Sequence, residues 1–288
     1  MTNNAIEITN LNVKLGNFNL SNINLNIEKG SIMGFIGKNG AGKTTLIKSI
    51  LDIIQLNSGE VLFDGIPMQG KEEQVKQNLG VVYDSLIYPA NMTAEGIVKM
   101  LSPFYTNFDM EKWNDLMLRF ELKSFMKLSS YSKGMQMKFS IAMALAHNPE
   151  ILILDEPTAG LDPSARADIL DLLLEFMQDE QHTVFFSTHI TSDLDKIADY
   201  ITLIDNGKII FSSEKDALLD HYVLVHIEKE SLTEELKQKL TGIKETTFAY
   251  EGLCSDKTWF EKVKGVRLAR PSIEDIMIYR GGLDDNQV

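Results

Sequence analysis

Eight consecutive residues, Gly37-Lys38-Asn39-Gly40-Ala41-Gly42-Lys43-Thr44, combine glycines, a lysine and a hydroxyl at a spacing made for phosphate. Glycines let successive backbone N–H groups curl around phosphate oxygens, and a helix opening at the end of the run adds its partial positive charge. In such a loop Lys43 reaches the β- and γ-phosphates of a nucleotide, Thr44 ligates Mg²⁺ through its hydroxyl, and Thr45 completes the nucleotide-binding set. A second group lies far along the chain, where Asp155-Glu156 ends the apolar run Ile151-Leu152-Ile153-Leu154. At that place Asp155 can hold Mg²⁺ through a water, and Glu156 can polarise an attacking water. Alone, these would be a glycine-rich turn and an acidic strand end. Together, with Pro157-Thr158-Ala159-Gly160-Leu161-Asp162 following, they describe nucleotide hydrolysis.

The surrounding pattern supplies the elements that must position these groups. Residues 5–30 alternate in short segments such as Ile6-Glu7-Ile8 and Ile23-Asn24-Leu25-Asn26-Ile27, which predicts antiparallel strands. Ile32-Met33-Gly34-Phe35-Ile36 reads as a buried strand feeding the phosphate loop, with a helix from about residue 43 to 54 behind it. Helical periodicity dominates residues 93–128, and another buried strand is expected at Thr183-Val184-Phe185-Phe186. Strands alternating with helices imply an α/β fold with a parallel sheet covered on both faces, where ligands bind at the carboxyl ends of the strands. Beyond about residue 220 the acidity fades, and residues 221–288 read as an appended module of strands and helices.

Composition closes off several classes of function. The formal net charge of −13 argues against a nucleic-acid footprint, so no nucleic-acid partner is expected. One cysteine, Cys254, makes neither an internal disulfide nor a cysteine metal cage. No apolar run approaches the roughly 18–20 residues that span a bilayer, and the first residues lack the features of a signal peptide. A cytoplasmic protein is expected, peripheral on the inner face of the membrane through other subunits.

With these motifs in order, residues 5–220 resemble the nucleotide-binding subunit of an ATP-binding-cassette (ABC) transporter. The resemblance rests on the phosphate loop, Tyr131-Ser132-Lys133-Gly134-Met135, the Ile151-to-Glu156 run, the Ala159-to-Asp162 turn and Ser187-Thr188-His189. It implies a P-loop ABC-ATPase fold: a mixed, mainly parallel core sheet, an antiparallel β subdomain, a helical subdomain at about 90–146 within an ATPase domain of 1–220, and a small α+β extension at 221–288. It implies ATP and Mg²⁺ as ligands and a head-to-tail pair of ATPase copies, the second identical or related. In that pair Ser132 and Gly134 cap the γ-phosphate held by the opposite copy, His189 contacts it from the home copy, and Asp162 links the two sites. The expected helix at residues 135–146, just after Ser132 and Gly134, suits an anion at its N-terminus. The remaining partners implied are transmembrane permease subunits.

Three departures from the family pattern narrow the subgroup. Lys133 and Met135 replace a Gly and the Gln of the usual Leu-Ser-Gly-Gly-Gln signature, placing an extra positive charge near the phosphate. Asp84 stands where the family carries a Gln. A carboxylate there can ligate Mg²⁺ but cannot donate an amide hydrogen bond, and an ordinary loop residue is the alternative. Leu15 occupies the place of the usual adenine-stacking ring, leaving Phe18 as either the nearest stacking ring or a core residue of its strand. These features, with the Pro271-Ser272-Ile273-Glu274-Asp275-Ile276 tail, resemble ABC-2-type exporter ATPases of Gram-positive bacteria, the group that handles antimicrobial peptides, lantibiotics and small amphipathic peptides such as phenol-soluble modulins. Six rings between residues 102 and 128 (Phe104, Tyr105, Phe108, Trp113, Phe120 and Phe125) fall in the helical subdomain, and two or three are expected to line a partner-facing groove. The competing class is an ABC ATPase acting in solution, as a regulator or on ribosomes or DNA. One cassette, the absence of a long coiled-coil pattern and the acidic balance favour export.

Replacing the proposed base tests the reading directly. Glu156→Gln is expected to slow turnover roughly 10²–10⁴-fold while leaving ATP binding intact, whereas Lys43→Ala should weaken binding itself. Steady-state hydrolysis and equilibrium binding of the two variants separate these effects. Parental turnover by Glu156→Gln would remove Glu156 from the chemistry.

Overall fold

Ile32–Ile36, Ile151–Asp155 and Thr183–Thr188 are buried at every position, as strands covered on both faces must be. In the computed structural model, which describes residues 3–280, they lie at the centre of a six-stranded sheet. Its order is Lys208–Glu214, Tyr200–Asp205, Ile32–Ile36, Thr183–Thr188, Ile151–Asp155, Leu79–Val82. The last five strands are parallel, and Lys208–Glu214 is added antiparallel at one edge.

Period-two alternation divides these strands between two cores. Met33, Phe35, Ile151, Ile153 and Phe185 face the helix Lys43–Ile50 and an antiparallel sheet of Phe18–Glu28, Asn4–Leu15, Ser58–Phe63 and Ile66–Pro67. Ile32, Ile36, Leu152, Leu154, Val184 and Phe186 face the opposite core, built with helices Ala94–Leu101, Met110–Arg119, Lys133–Leu145, Pro163–Phe176 and Thr191–Ile197. Residues 223–269 form a third sheet, ordered Thr241–Glu245, Ala249–Cys254, Val223–Glu228, Val266–Ala269, and antiparallel throughout. One face covers a small core around Val225, Ile227 and Phe260; Leu224 and Leu253 join Ile273, Ile276 and Tyr279 in the main core. The C-terminal helix Ile273–Arg280 thereby rests on both the third sheet and the helix Thr191–Ile197.

Several expected boundaries shift. The helix behind the phosphate loop ends at Ile50, not near residue 54, because Asp52 turns into the left-handed region at φ 57°. The predicted 135–146 helix runs from Lys133 to Leu145: Ser132 takes the N-cap and its Oγ accepts from the Met135 N–H at 3.2 Å. Gly134 therefore lies inside the helix rather than before it. The periodic stretch 93–128 breaks into two helices, each started by a capping side chain, Thr93 for the first and Asp109 for the second.

The end of helix Lys133–Leu145 is tied to the core sheet by a buried histidine. His147 is 2% exposed, its ring stacks on Tyr105 at 4.1 Å, and its Nε2 donates to the Leu79 carbonyl at 2.9 Å. Burial holds this imidazole below its ordinary range; the Leu79 and Met143 carbonyls pull the other way, and the Lys112 charge adds to the depression. A base whose folded pKa is depressed costs stability as pH falls through its unfolded value of about 6.5, because only the unfolded chain then takes the proton. His147→Gln, which keeps a donor for Leu79, is therefore expected to lose less stability than the parent between pH 7.5 and 5.5, by at most about 1.4 kcal/mol per pH unit. Denaturant unfolding at several pH values measures this, and parallel curves would place the acid sensitivity elsewhere.

Candidate functional site

Parallel register brings the carboxyl ends of four strands to one edge: Ile36 lies beside Thr188, Asp155 beside Ser187, and Val82 beside Leu154. The residues that follow those ends are the phosphate loop, His189, Glu156 and Asp84. They line a single cleft of about 620 Å³ together with Leu15, Phe18, Lys133 and Ala159. From the loop, Lys38, Asn39, Gly40, Gly42, Lys43, Thr44 and Thr45 reach the cleft, while Gly37 and Ala41 are buried. Gly37 has no room for a side chain, since a Cβ would come within 2.5 Å of the Ile204 carbonyl oxygen. Gly40 and Gly42 take φ values of 82° and 115°, which turn the loop in the way that Gly alone adopts freely.

Lys43 is 6% exposed, and its ammonium donates to the Gly37 carbonyl at 2.7 Å and pairs with Glu156 Oε1 at 3.2 Å. The other oxygen of Glu156 accepts from His189 Nδ1 at 2.7 Å and from the His189 N–H at 3.3 Å. Glu156 itself sits at φ 51°, a conformation that non-glycine residues avoid, with its N–H donating to the Ser187 carbonyl at 3.0 Å. Loop lysine, strand-end glutamate and histidine are thus linked in one chain of polar contacts across the cleft.

Asp155 is fully buried behind them. Its Oδ1 accepts from Ser187 Oγ at 2.6 Å, while Oδ2 is buried without a hydrogen-bond partner among the described residues. Burial pushes this carboxyl above the usual carboxylate range; the Ser187 and Thr44 hydroxyls pull it down, and the charges of Asp84 and Glu156 push it up. The last effect places Asp84, exposed at the cleft mouth, within electrostatic reach of Asp155. Phe18 is half-buried: it packs on the core of the antiparallel sheet and also lines the cleft beside Gly42, where a Cβ would meet its ring at 2.8 Å. Leu15 is on the same wall, 42% exposed.

Ser132 and Gly134 do not line this cleft; of the signature residues only Lys133 does. Asp162 caps the helix Pro163–Phe176, accepting from the Ser164 and Ala165 N–H groups at 3.0 Å, and these bonds hold its carboxyl below the usual range. Beneath it lies a network that sequence reasoning did not reach. Fully buried Asp193 accepts from Thr158 Oγ1 at 2.7 Å and pairs with the guanidinium of Arg166, which also donates to Ser192 Oγ at 2.7 Å. The turn after Glu156 is thereby fastened to the helix after His189. No local spacing announces this contact, since its members lie 27 and 35 residues from Asp193.

A P-loop at the carboxyl edge of a parallel sheet, a glutamate–histidine pair over its lysine and an antiparallel subdomain define an ATPase of the ATP-binding-cassette class. Sequence comparison agrees. The ABC transporter family model matches residues 20–159. The chain is 31% identical over 214 residues to the ABC transporter ATP-binding protein YtrB of Bacillus subtilis, covering 74% of this chain and 72% of that one. It is 33% identical over 195 residues to the bacitracin transport ATP-binding protein BcrA of Bacillus licheniformis (66% and 63% covered), and 31% over 199 residues to the lantibiotic transport ATP-binding protein SrtF of Streptococcus pyogenes (68% and 85%). Among solved structures, the dimer of a bacterial ABC transporter cassette superposes with a TM-score of 0.66 at 25% identity, over 73% of this chain and 98% of that one. The chain belongs to the ATP-binding subunits of ABC transporters, and its activity is ATP hydrolysis.

The Lys43–Glu156 contact competes with phosphate for the same ammonium. Glu156→Gln should therefore bind nucleotide more tightly than the parent, by about two- to fivefold, as expected for loss of one partly exposed ion pair. Titration at fixed ionic strength reads this, and unchanged affinity would mean that the pair does not oppose binding.

Proposed function

We propose that the chain powers export of peptides or other amphipathic compounds through separate transmembrane subunits, hydrolysing MgATP at a head-to-tail interface between two ATPase copies. The observation that carries the hydrolytic part is the convergence of Lys43, the Glu156–His189 pair and the unpartnered Asp155 Oδ2 in one cleft. The relatives named for bacitracin and lantibiotic transport support the cargo class. No helix among the described residues is long and apolar enough to cross a membrane.

Mg²⁺ fits the residues present. The unpartnered Asp155 Oδ2, the adjacent Thr44 hydroxyl and the Asp84 carboxylate are oxygen donors suited to a hard cation. Among the described residues no group of three or more His, Cys, Asp or Glu side chains can hold a metal ion alone, so the remaining positions fall to phosphate oxygens and water. The ion, once bound, neutralises charge that develops on the phosphates.

In this reading the phosphate loop cradles the nucleotide and Phe18 borders the base. When phosphate draws Lys43 away from Glu156, the carboxylate loses its cation and becomes a better base for the attacking water, with His189 orienting it. Ser132 and Gly134, outside their own chain's cleft, are available to cap nucleotide held by a second copy, an arrangement supported by the dimeric neighbour. The permease is proposed to dock in a groove of about 460 Å³ beside Asp84, lined by Tyr83, Tyr88, Pro89, Met100, Tyr105 and His147. Two or three of the six rings were expected in such a groove; only Tyr105 lines this one. Trp113 and Phe120 are buried, Phe108 packs on the main core, and Phe104 and Phe125 are 72% and 71% exposed elsewhere on the surface.

Two measurements test these assignments. Asp84→Ala should raise the Mg²⁺ concentration giving half-maximal hydrolysis; an unchanged curve would leave Asp84 a loop residue. Tyr105→Ala, reconstituted with the permease, should uncouple transport while sparing most hydrolysis by the isolated subunit, and full transport would remove the groove as the docking site.

A further inference from the structure

Lys133 opens the helix Lys133–Leu145 in a place where a lysine is unfavourable. The N-terminus of a helix carries partial positive charge, and a cation there costs a few tenths of a kcal/mol or more unless an anion compensates it. Nothing in the fold does so: the first turn of this helix holds no acidic residue, and the ammonium of Lys133 makes no hydrogen bond or ion pair with any described residue. Lys138, one turn further on, does find a partner in Asp168 at 2.7 Å. A local rule broken without structural compensation is the mark of a functional position.

The side chain shows which function. It leaves Ser132 and Gly134 behind and lines its own chain's nucleotide cleft, together with Glu156, Ala159 and His189. Its Nζ lies against Gly160, where a Cβ would approach it to 3.1 Å; the glycine, at φ 70°, keeps that path open. Lys43 is held by Gly37 and Glu156, whereas Lys133 has no competing acceptor and answers to whatever anion occupies the cleft.

We propose that Lys133 is a phosphate-binding residue in cis: it engages the terminal phosphate of the nucleotide bound to its own chain, while its neighbours Ser132 and Gly134 face the opposite copy. The start of one helix then senses both nucleotides of a pair. This rests on the reading of the cleft as the MgATP site and adds to it a residue acting in the opposite direction from the rest of its motif.

The test uses the full chain, diluted until sedimentation shows a monomer, with Mg²⁺ and either ADP or the non-hydrolysable AMP-PNP. Lys133→Gln is expected to raise the Kd for AMP-PNP about tenfold, the loss of one charge-assisted hydrogen bond, while the Kd for ADP stays near the parental value. Lys133→Arg should retain most of the AMP-PNP affinity. Lys133 is exposed, so a folding defect is not expected, and a melting curve verifies this. Equal AMP-PNP affinities for the parent and Lys133→Gln monomers would overturn the proposal, and a loss appearing only on dimerisation would assign the lysine to the partner's nucleotide instead. A parent monomer that binds neither nucleotide would overturn the reading of the cleft as well, an outcome distinct from a parent that binds both and a variant that matches it.

Discussion

Parallel pairing of four largely apolar strands is the constraint on which the rest of the molecule depends. Because Ile36, Thr188, Asp155 and Val82 end almost level, whatever follows each of them must emerge at the same edge. The chain uses those places for a phosphate loop, a histidine, a glutamate and an aspartate. Their separation in sequence does not matter, since backbone hydrogen bonds between neighbouring strands set their separation in space. The helices and the antiparallel sheet bury the two faces that this sheet presents, and the alternation of residues along its strands decides which core receives each side chain.

The same edge concentrates charge that the fold does not neutralise internally. Asp155 is ionisable, fully buried and only half satisfied by Ser187, while Glu156 sits beside it in a left-handed conformation. Strain of this kind persists only where the surroundings over-determine it. Here Lys43 and His189 each hold one oxygen of Glu156, and the Thr158–Asp193–Arg166 network fixes the turn beyond. A ligand carrying phosphates and a divalent cation would exchange both kinds of stress for direct contacts. In the proposed function, binding and catalysis would therefore draw on one arrangement of charge.

The helical part of the molecule connects this edge to its surface. Helix Lys133–Leu145 begins at the signature residues and ends just before His147, which is fastened to Leu79 at the start of the strand leading toward Asp84. Tyr105 stacks on that histidine and also lines the surface groove. A partner pressing on the groove would therefore touch a rigid path running to the nucleotide cleft, through contacts that are individually ordinary. The third sheet stands apart from this path, joined to the main core through Leu224, Leu253 and the C-terminal helix.

The sequence by itself determined the parts whose physics is local. The phosphate loop needs its glycines and its Lys43-Thr44 pair next to one another, the buried strands announce themselves as apolar runs, and Asp155-Glu156 declares itself at a strand end. The helix after the signature residues was legible too, but not its start: Ser132 caps it directly, because an N-cap hydroxyl satisfies an amide that the apolar pattern cannot show. Tertiary structure alone decided what depends on distant residues meeting. Only packing placed Phe18 on both the core and the cleft wall, left Tyr105 as the single one of the six rings that lines the groove, and drew Asp193 against the turn after Glu156. It also aimed Lys133 into its own cleft while Ser132 and Gly134 stayed outside. Residue types and short spacings encode chemistry, but which side of a helix or strand meets which neighbour is fixed by burial across the whole chain, and no local window of sequence contains that sum.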